Sequence, residues 1–563
     1  MPDFLSGTHA IAVGVLESDV SLVTGYPGSP ATSVIDVICE MTSDLDSCSF
    51  GQVQVVWNSN EKTAAEMAFG ASLAGARSLL CVKSVGFNIA LDPLMTINLA
   101  DCNAGFVILV ADDPGGWSSQ NEQDSRTVAL ATELPLLEPA TILESFNIIP
   151  YAFYLSEEFK LPIIVRVTKP LILAETSQSN KRSPLSPSDY APNGAEGSGL
   201  NNRSKQNSER FDHAVILPAN VVANHNRLHN KLASIKTHFE RSKFNQVEGA
   251  GTQGVLVTGF TYQNLLELFN NSIPPQLRIA RLGSLHPLPD QFMITFLKSV
   301  EAVLILEETA PLLENAVRVN ARQAGLTLPI YGRHSGDVPR VGELDSSQLA
   351  KAINCLLPGL ITSSQPNTSR TMPSKRFYPS NCPYIPIFDA LLEAITNYGP
   401  RQDTIIIGDP GCMVRGQNHY DLMDVKTSLG ASISIAAGIS SSFVQQNIQK
   451  RVIALSGDSG FLHTNFQGLV DAVQINSQML VLILDNNTTA LSGGQPHPGT
   501  RTQSIDRASQ TIEIKKLAED SGAAFVKVVK IDSGDDICSV ITRGIDTQGV
   551  SVIIARGDCP GCP

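Results

Sequence analysis

Two short apolar runs that break abruptly into small polar residues constrain this chain most. Val452 to Leu455 runs through Ser456 into Gly457-Asp458-Ser459-Gly460, and Met479 to Leu484 runs into Asp485-Asn486-Asn487-Thr488-Thr489. Apolar runs without alternation read as parallel strands buried on both faces, and an open α/β sheet carries its site at the carboxyl ends of such strands. Asp458 and Asn486 stand 28 residues apart, room for a strand, a crossover helix and the next strand. Neighbouring strand ends would then bring a carboxylate and an amide oxygen to one point. Such hard oxygens suit Mg²⁺, which keeps phosphate oxygens and water for its other positions. A plainer part is also open to both residues, that of capping the helix after each strand.

The rest of the chain repeats this grammar. Ser21 to Gly25, Phe106 to Ala111 and Ile163 to Val167 are strand-like, and Glu61 to Ala74 is an Ala-rich helix closed near Gly75. Residues 1–176 therefore form a doubly wound α/β domain. Residues 177–250 begin with a Ser/Asn/Pro/Gly-rich linker or insertion and recover helical spacing from Asp212 to Lys243. A second α/β unit, 251–360, opens with Gly254 to Gly259 and continues through Val303 to Glu308. A Ser/Pro/Thr linker, 361–376, leads to a third unit, 377–556, and a tail, 557–563. The expected fold is three doubly wound parallel-sheet domains in a row.

Composition excludes some functions. A formal net charge of −13 without a basic patch argues against nucleic acid or an anionic membrane as partner. No run approaches the roughly 20 apolar residues of a membrane span, and the N-terminus lacks the pattern of a secretion signal, so a cytoplasmic protein is expected. Ten cysteines in 563 residues make no disulfide framework. Cys559-Pro560-Gly561-Cys562 can hold a metal or run thiol chemistry, yet two ligands complete neither an iron–sulfur nor a zinc site. A mobile tail is the plainer reading.

Several motifs, in order, resemble one family. Gly25-Tyr26-Pro27-Gly28-Ser29-Pro30, Asn60-Glu61-Lys62, Asp92-Pro93-Leu94-Met95, Ala111-Asp112-Asp113-Pro114-Gly115 and Ser118 to Arg126 are followed by Gly457 to Thr464 and Leu484 to Gly499. Together they resemble the alpha subunit of indolepyruvate ferredoxin oxidoreductase over most of the chain. The resemblance implies thiamine diphosphate and Mg²⁺ as cofactors, with Asp458, Asn486 and the carbonyl of Thr488 as metal ligands. It implies a pyrimidine-binding first domain, a transketolase C-terminal-like second and a diphosphate-binding third. Glu61 is then the glutamate facing the pyrimidine N1′ of the cofactor, with burial against Trp57 and Met67 favouring its proton-donating form. The residue alone equally suits the first turn of a helix.

Further positions follow from the same likeness. Pro27, Gly28, Cys382, Gly408, Asp409, Gly411, Cys412, Gly430, Gly457, Ser459, Thr489 and Gln495 are expected around the cofactor. Gly430-Ala431-Ser432 opens a helix whose N–H groups would suit phosphate, although close helix–strand packing explains the same small residues. Gln495 and His497 lie in a loop that would cover the diphosphate or the substrate. Ser29, Lys83, Asn88, Asp112, Asp113, Gln120, Asn121, Asp124 and Arg126 are the polar wall expected around a 2-oxo acid, with Arg126 as its carboxylate clamp. Each of these, taken singly, also reads as an ordinary turn or surface residue.

Three departures stand out. The family continues past Arg556 into a ferredoxin-like domain with iron–sulfur clusters, whereas this sequence ends at Pro563. The family's Cys-Pro-Gly-Cys-Pro-His reads here as Cys382-Pro383-Tyr384-Ile385-Pro386-Ile387. Ser84 and Trp117 stand where the family usually shows His. The expected activity is oxidative decarboxylation of an aryl 2-oxo acid. Coenzyme A or water would take the acyl group, a separate carrier and a gamma- or beta-type subunit the electrons, and the chain would form a homodimer or higher oligomer. The alternatives are a non-oxidative decarboxylase or carboligase, and a scaffold that binds cofactor without turnover.

Overall fold

In the computed structural model of the chain, the structure describes residues 6–43, 53–175, 211–362, 377–500, 502–504, 507–508, 511–531 and 536–560. Most of both expected linkers, part of the tail with Cys562, and Cys48 lie outside these residues.

The first sheet contains β1 (Leu22–Gly25), β2 (Gln54–Trp57), β3 (Ser78–Lys83), β4 (Phe106–Asp112), β5 (Leu136–Leu137) and β6 (Ile163–Thr168). Every residue of β3, β4 and β6 is buried, as the continuous apolar runs require for strands covered on both faces. The strands lie in the order β5-β6-β4-β3-β1-β2. The winding reverses between β1 and β3, which opens a crevice at their carboxyl ends.

The second sheet contains β7 (Gln246–Glu248), β8 (Gln253–Thr258), β9 (Leu277–Leu282), β11 (Ala302–Leu306) and β12 (Ile330–Tyr331), in the order β12-β11-β8-β9-β7. The intervening β10 (Ser284–His286) leaves this sheet and pairs antiparallel with β5. The first two α/β segments thus share a sheet, and apart from Trp57–Asn60 they cluster as one compact unit, with those four residues and Pro373–Pro563 forming the other. Leu256, Ala280 and Phe296 belong to the same apolar core as Leu80 and Phe106, so burial as well as strand pairing fuses the two segments.

The third sheet contains β13 (Thr404–Gly408), β14 (Val425–Lys426), β15 (Arg451–Gly457) and β16 (Met479–Asp485). After a short ribbon of β17 (Thr502–Ser504) and β18 (Arg507–Ala508), it is completed by β19 (Phe525–Lys530) and β20 (Val550–Arg556). Its order is β14-β13-β15-β16-β20-β19. Counted from its own first strand, it winds in the same sequence as the first sheet's six strands, and its reversal falls between β13 and β15. Asp458 follows β15 and Asn486 follows β16, neighbouring strands that pair from Ile453↔Leu480 to Gly457↔Leu484. No helix among the described residues is long and apolar enough to cross a membrane.

Candidate active site

In the third sheet, Asp458 is the first residue after β15 and is 2% exposed. Its Oδ1 accepts from the Ser459 N–H at 2.8 Å, and its Oδ2 from the Asn486 backbone N–H at 3.2 Å. Asn487 takes a left-handed φ of 59°, which Asn tolerates, and this turns the chain sharply after Asn486. One terminal atom of the Asn486 amide then lies 3.2 Å from Asp458 Oδ2 and 2.7 Å from the Thr488 carbonyl oxygen. With NH₂ in that place the amide donates to both; with oxygen there, three oxygens converge. A cation selects the second orientation. Neighbouring ligands of Mg²⁺ at about 2.1 Å stand about 3.0 Å apart, so these spacings fit the ion.

The surrounding charge favours a cation as well. The Asp485 carboxyl is pushed above the usual carboxylate range by burial and then by the Asp458 charge, while the Arg556 Nε 2.7 Å away works against that rise. Tyr384, 2% exposed, has a buried hydroxyl without a hydrogen-bond partner, and burial and Asp458 raise its pKa well above the ordinary value. A crevice of about 90 Å³ adjoins this point. Tyr384, Cys382, Cys412, Asn486 and Cys559 are among its lining residues, and a second of about 40 Å³ includes Gly411, Gly457, Asp458 and Thr488. Asp458, Asn486 and Thr488 therefore meet, and Gly411, Gly457, Cys382 and Cys412 lie around them.

Other expected members have different work. His497 is 2% exposed. Its Nδ1 accepts from the Gly499 N–H at 3.1 Å, so the proton sits on Nε2, which donates to Asp458 Oδ2 at 3.1 Å. It orients the carboxylate. Gln495 and Thr489 close the preceding loop, with the Thr489 N–H on the Gln495 carbonyl at 2.9 Å. Asp409 is wholly buried, and its Oδ1 accepts from Ala431 N–H and Ser432 N–H at 3.1 and 3.0 Å. The Ile433 N–H goes to Asn465 Oδ1. The helix N-terminus expected to offer N–H groups to phosphate is thus already capped from within. Gly408 and Gly430 serve close packing: a Cβ on Gly408 would meet Met423 Sδ at 2.0 Å, and one on Gly430 would meet Thr464 Oγ1 at 1.9 Å.

In the first unit, Pro27, Gly28 and Ser29 follow the end of β1, and Gly28 stands beside Lys83 at the end of β3. A Cβ on Gly28 would stand 3.3 Å from the Lys83 Cβ, and Ser29 is exposed. The Lys83 Nζ donates to the Ser118 carbonyl at 2.8 Å. Asp113 Oδ2 gathers the Ser118 N–H, Ser118 Oγ and Ser119 Oγ, while Asn88 exchanges hydrogen bonds with Gln123. Gln120 and Asn121 are exposed on the same loop. Glu61 begins the helix Glu61–Leu73 and is 6% exposed. Met67, expected to wall it, is 44% exposed. Gly86 lies against it instead: a Cβ there would meet Glu61 Oε1 at 2.2 Å. Sequence reasoning missed Gly86, whose only signal is its place two residues into the helix after β3.

Arg126 does not face a substrate. It is wholly buried and forks onto Asp124, donates from NH1 to Glu307 Oε2 at 2.9 Å, and from NH2 to the Ala310 carbonyl. Arg166 bonds Asp112, Glu138 and the Glu308 carbonyl. Asp112 and Asp124 are thereby drawn into a buried ionic network joining the carboxyl ends of the first and second sheets. Burial would raise Asp124, but the Arg126 and Arg166 charges hold it well below the usual range. The expected mobile tail is also partly placed: Cys559 shares the larger crevice with Cys382 and Cys412, whose thiol burial pushes up to about 12.

The profile described as "Thiamine pyrophosphate enzyme, C-terminal TPP binding domain" matches residues 409–555, and "Pyruvate flavodoxin/ferredoxin oxidoreductase, thiamine diP-bdg" matches residues 13–193. Fold, site and profiles define a thiamine diphosphate-dependent 2-oxoacid oxidoreductase subunit. The indolepyruvate oxidoreductase subunit IorA of Archaeoglobus fulgidus is 31% identical over 99% of this chain and 86% of its own length. Its namesake in Pyrococcus abyssi is 32% identical over 99% and 85%. The chain belongs to the family of IorA subunits of indolepyruvate oxidoreductase. A solved 2-oxoglutarate:ferredoxin oxidoreductase from Magnetococcus marinus aligns over 58% of this chain and 61% of its own, with 16% identity and a TM-score of 0.43.

Proposed function

We propose that the chain converts an aryl-type 2-oxo acid, indolepyruvate or a close analogue, by oxidative decarboxylation. Asp458, the Asn486 side-chain oxygen and the Thr488 carbonyl would hold Mg²⁺ on the diphosphate of thiamine diphosphate, with His497 fixing the carboxylate from behind. The chemistry contributed by thiamine diphosphate when bound is that of an electron sink for a carbanion. Glu61, seated over Gly86, would hold a proton toward the pyrimidine N1′. Lys83 and the exposed side chains of Ser29, Gln120 and Asn121 are the groups left to meet a substrate carboxylate, since Arg126 is committed to Asp124 and Glu307.

Electrons would pass to a separate chain of gamma or beta type, with coenzyme A as acyl acceptor, in a cytoplasmic assembly built on a homodimer. The meeting of the Asp458 carboxylate, the Asn486 side-chain amide and the Thr488 carbonyl at one point carries this reading. Purified protein with Mg²⁺, thiamine diphosphate and an arylpyruvate tests it. Substrate-dependent reduction of an electron-accepting dye is expected. Aldehyde release without dye reduction would point to non-oxidative decarboxylation, and tight cofactor binding with neither product to a scaffold.

A further inference from the structure

Away from this site, three metal-ligating side chains meet at the surface of the first unit. His225 and His229 stand one turn apart on the helix Val221–Phe239, and Glu133 caps the helix Ser125–Thr132 in a left-handed conformation (φ 53°). His225 Nε2 lies 2.7 Å from Glu133 Oε2, His229 Nε2 lies 2.9 Å from Glu133 Oε1, and the two Nε2 atoms are 3.1 Å apart. Among the described residues, no other His/Cys/Asp/Glu trio converges so closely.

Protons satisfy this triangle poorly. If each imidazole donates its Nε2–H to the carboxylate, two N–H groups crowd one another across 3.1 Å. If one donates to the other, a carboxylate oxygen loses its donor. A cation in the centre uses all three lone pairs. With metal–nitrogen distances of about 2.0–2.1 Å, neighbouring nitrogen ligands stand about 2.9–3.4 Å apart, which brackets the 3.1 Å between the two Nε2 atoms, each with its own oxygen of Glu133 beside it.

Imidazole with carboxylate selects zinc and its first-row neighbours over Mg²⁺ or Ca²⁺. The side chains of His225, His229 and Glu133 are 48%, 58% and 32% exposed, so water can complete the coordination. The His286 Nε2 is buried without a hydrogen-bond partner, and the Glu133 charge reaches its ring. Among the described residues, Lys231 and Arg227 tie the helix to Asp101 and to the carbonyls of Lys160 and Leu99, and Lys236 pairs with Asp290 further along it. We propose that Glu133, His225 and His229 bind a divalent transition-metal ion of the zinc class, clamping the helix Val221–Phe239 to the end of the helix Ser125–Thr132.

The test uses the full chain, stripped with a chelator and returned to excess Mg²⁺, which occupies oxygen-rich sites. Co²⁺ titration is expected to give one equivalent of visible d–d absorption, displaced by Zn²⁺, without a thiolate charge-transfer band. His225→Ala/His229→Ala should weaken this binding at least about tenfold, with Glu133→Gln intermediate. Zn²⁺ should raise the melting temperature of the wild type and not of the double variant. No binding, a thiolate band, or equal binding by wild type and double variant would each overturn the site.

Discussion

The Nε2 of His497 lies 3.1 Å from the Oδ2 of Asp458, and its Nδ1 is fixed by the Gly499 N–H. The imidazole therefore donates to the carboxylate proposed to hold Mg²⁺ instead of standing as a ligand itself. Partners that aim a ligand in this way are worth about 10–100-fold in metal affinity. His497→Ala should weaken Mg²⁺-dependent thiamine diphosphate binding by that factor, and His497→Gln, which keeps a donor, should recover part of it. Titration calorimetry at several Mg²⁺ concentrations reads both.

The two side chains proposed as direct ligands should matter more. Asp458→Ala or Asn486→Ala should lower Mg²⁺-dependent cofactor affinity by at least about 100-fold. The fold should remain, because both positions lie at strand tips. Circular dichroism checks the fold and fluorescence quenching by cofactor checks the affinity; unchanged affinity would remove the metal assignment.

Gly86 makes room for Glu61. Gly86→Ala should expel the carboxylate from its seat, cost about 1–3 kcal/mol by overpacking, and depress turnover without changing Mg²⁺ dependence. Glu61→Gln should match its loss of turnover but keep stability. Urea unfolding and dye-reduction rates separate the two effects.

Arg126 supplies a contrast between structure and catalysis. Arg126→Met leaves Asp124 and Glu307 without their shared cation and should destabilise the protein by about 3–5 kcal/mol. A substrate clamp would instead show a raised KM at near-normal stability. Thermal unfolding beside KM decides between them.

The Glu308 carboxyl is raised by burial to about 7 from an ordinary 4.5. Between those pH values the folded chain holds more protons at this site than the unfolded chain, so unfolding free energy falls as pH rises through the window. The contribution is complete below the lower value and lost above the upper one. At about 1.4 kcal/mol per pH unit it is on the order of 3 kcal/mol. Glu308→Gln, neutral throughout, should flatten that slope in urea unfolding measured at both ends of the window.

The α/β class and the Asp458–Asn486 pairing were legible because uninterrupted apolar runs mark strands covered on both faces and their last residues mark the site. Arg126 and Asp409 misled because sequence records a charge but not the partner already bound to it. A buried Arg is legible only once Glu307, 181 residues away, is seen beside it. The link between the first two segments escaped for a similar reason: β10 pairs with a two-residue strand far back in the chain. The histidine pair at 225 and 229 did leave a mark, its one-turn spacing, but Glu133 joins it only in space.

The common winding of the first and third sheets has a further consequence. Matching the strand registers sets Ser84 opposite Asp458 and Asp113 opposite Asn486 as counterparts in two versions of one scaffold. One winding can thus present different chemistry at its strand tips while the framework beneath stays alike.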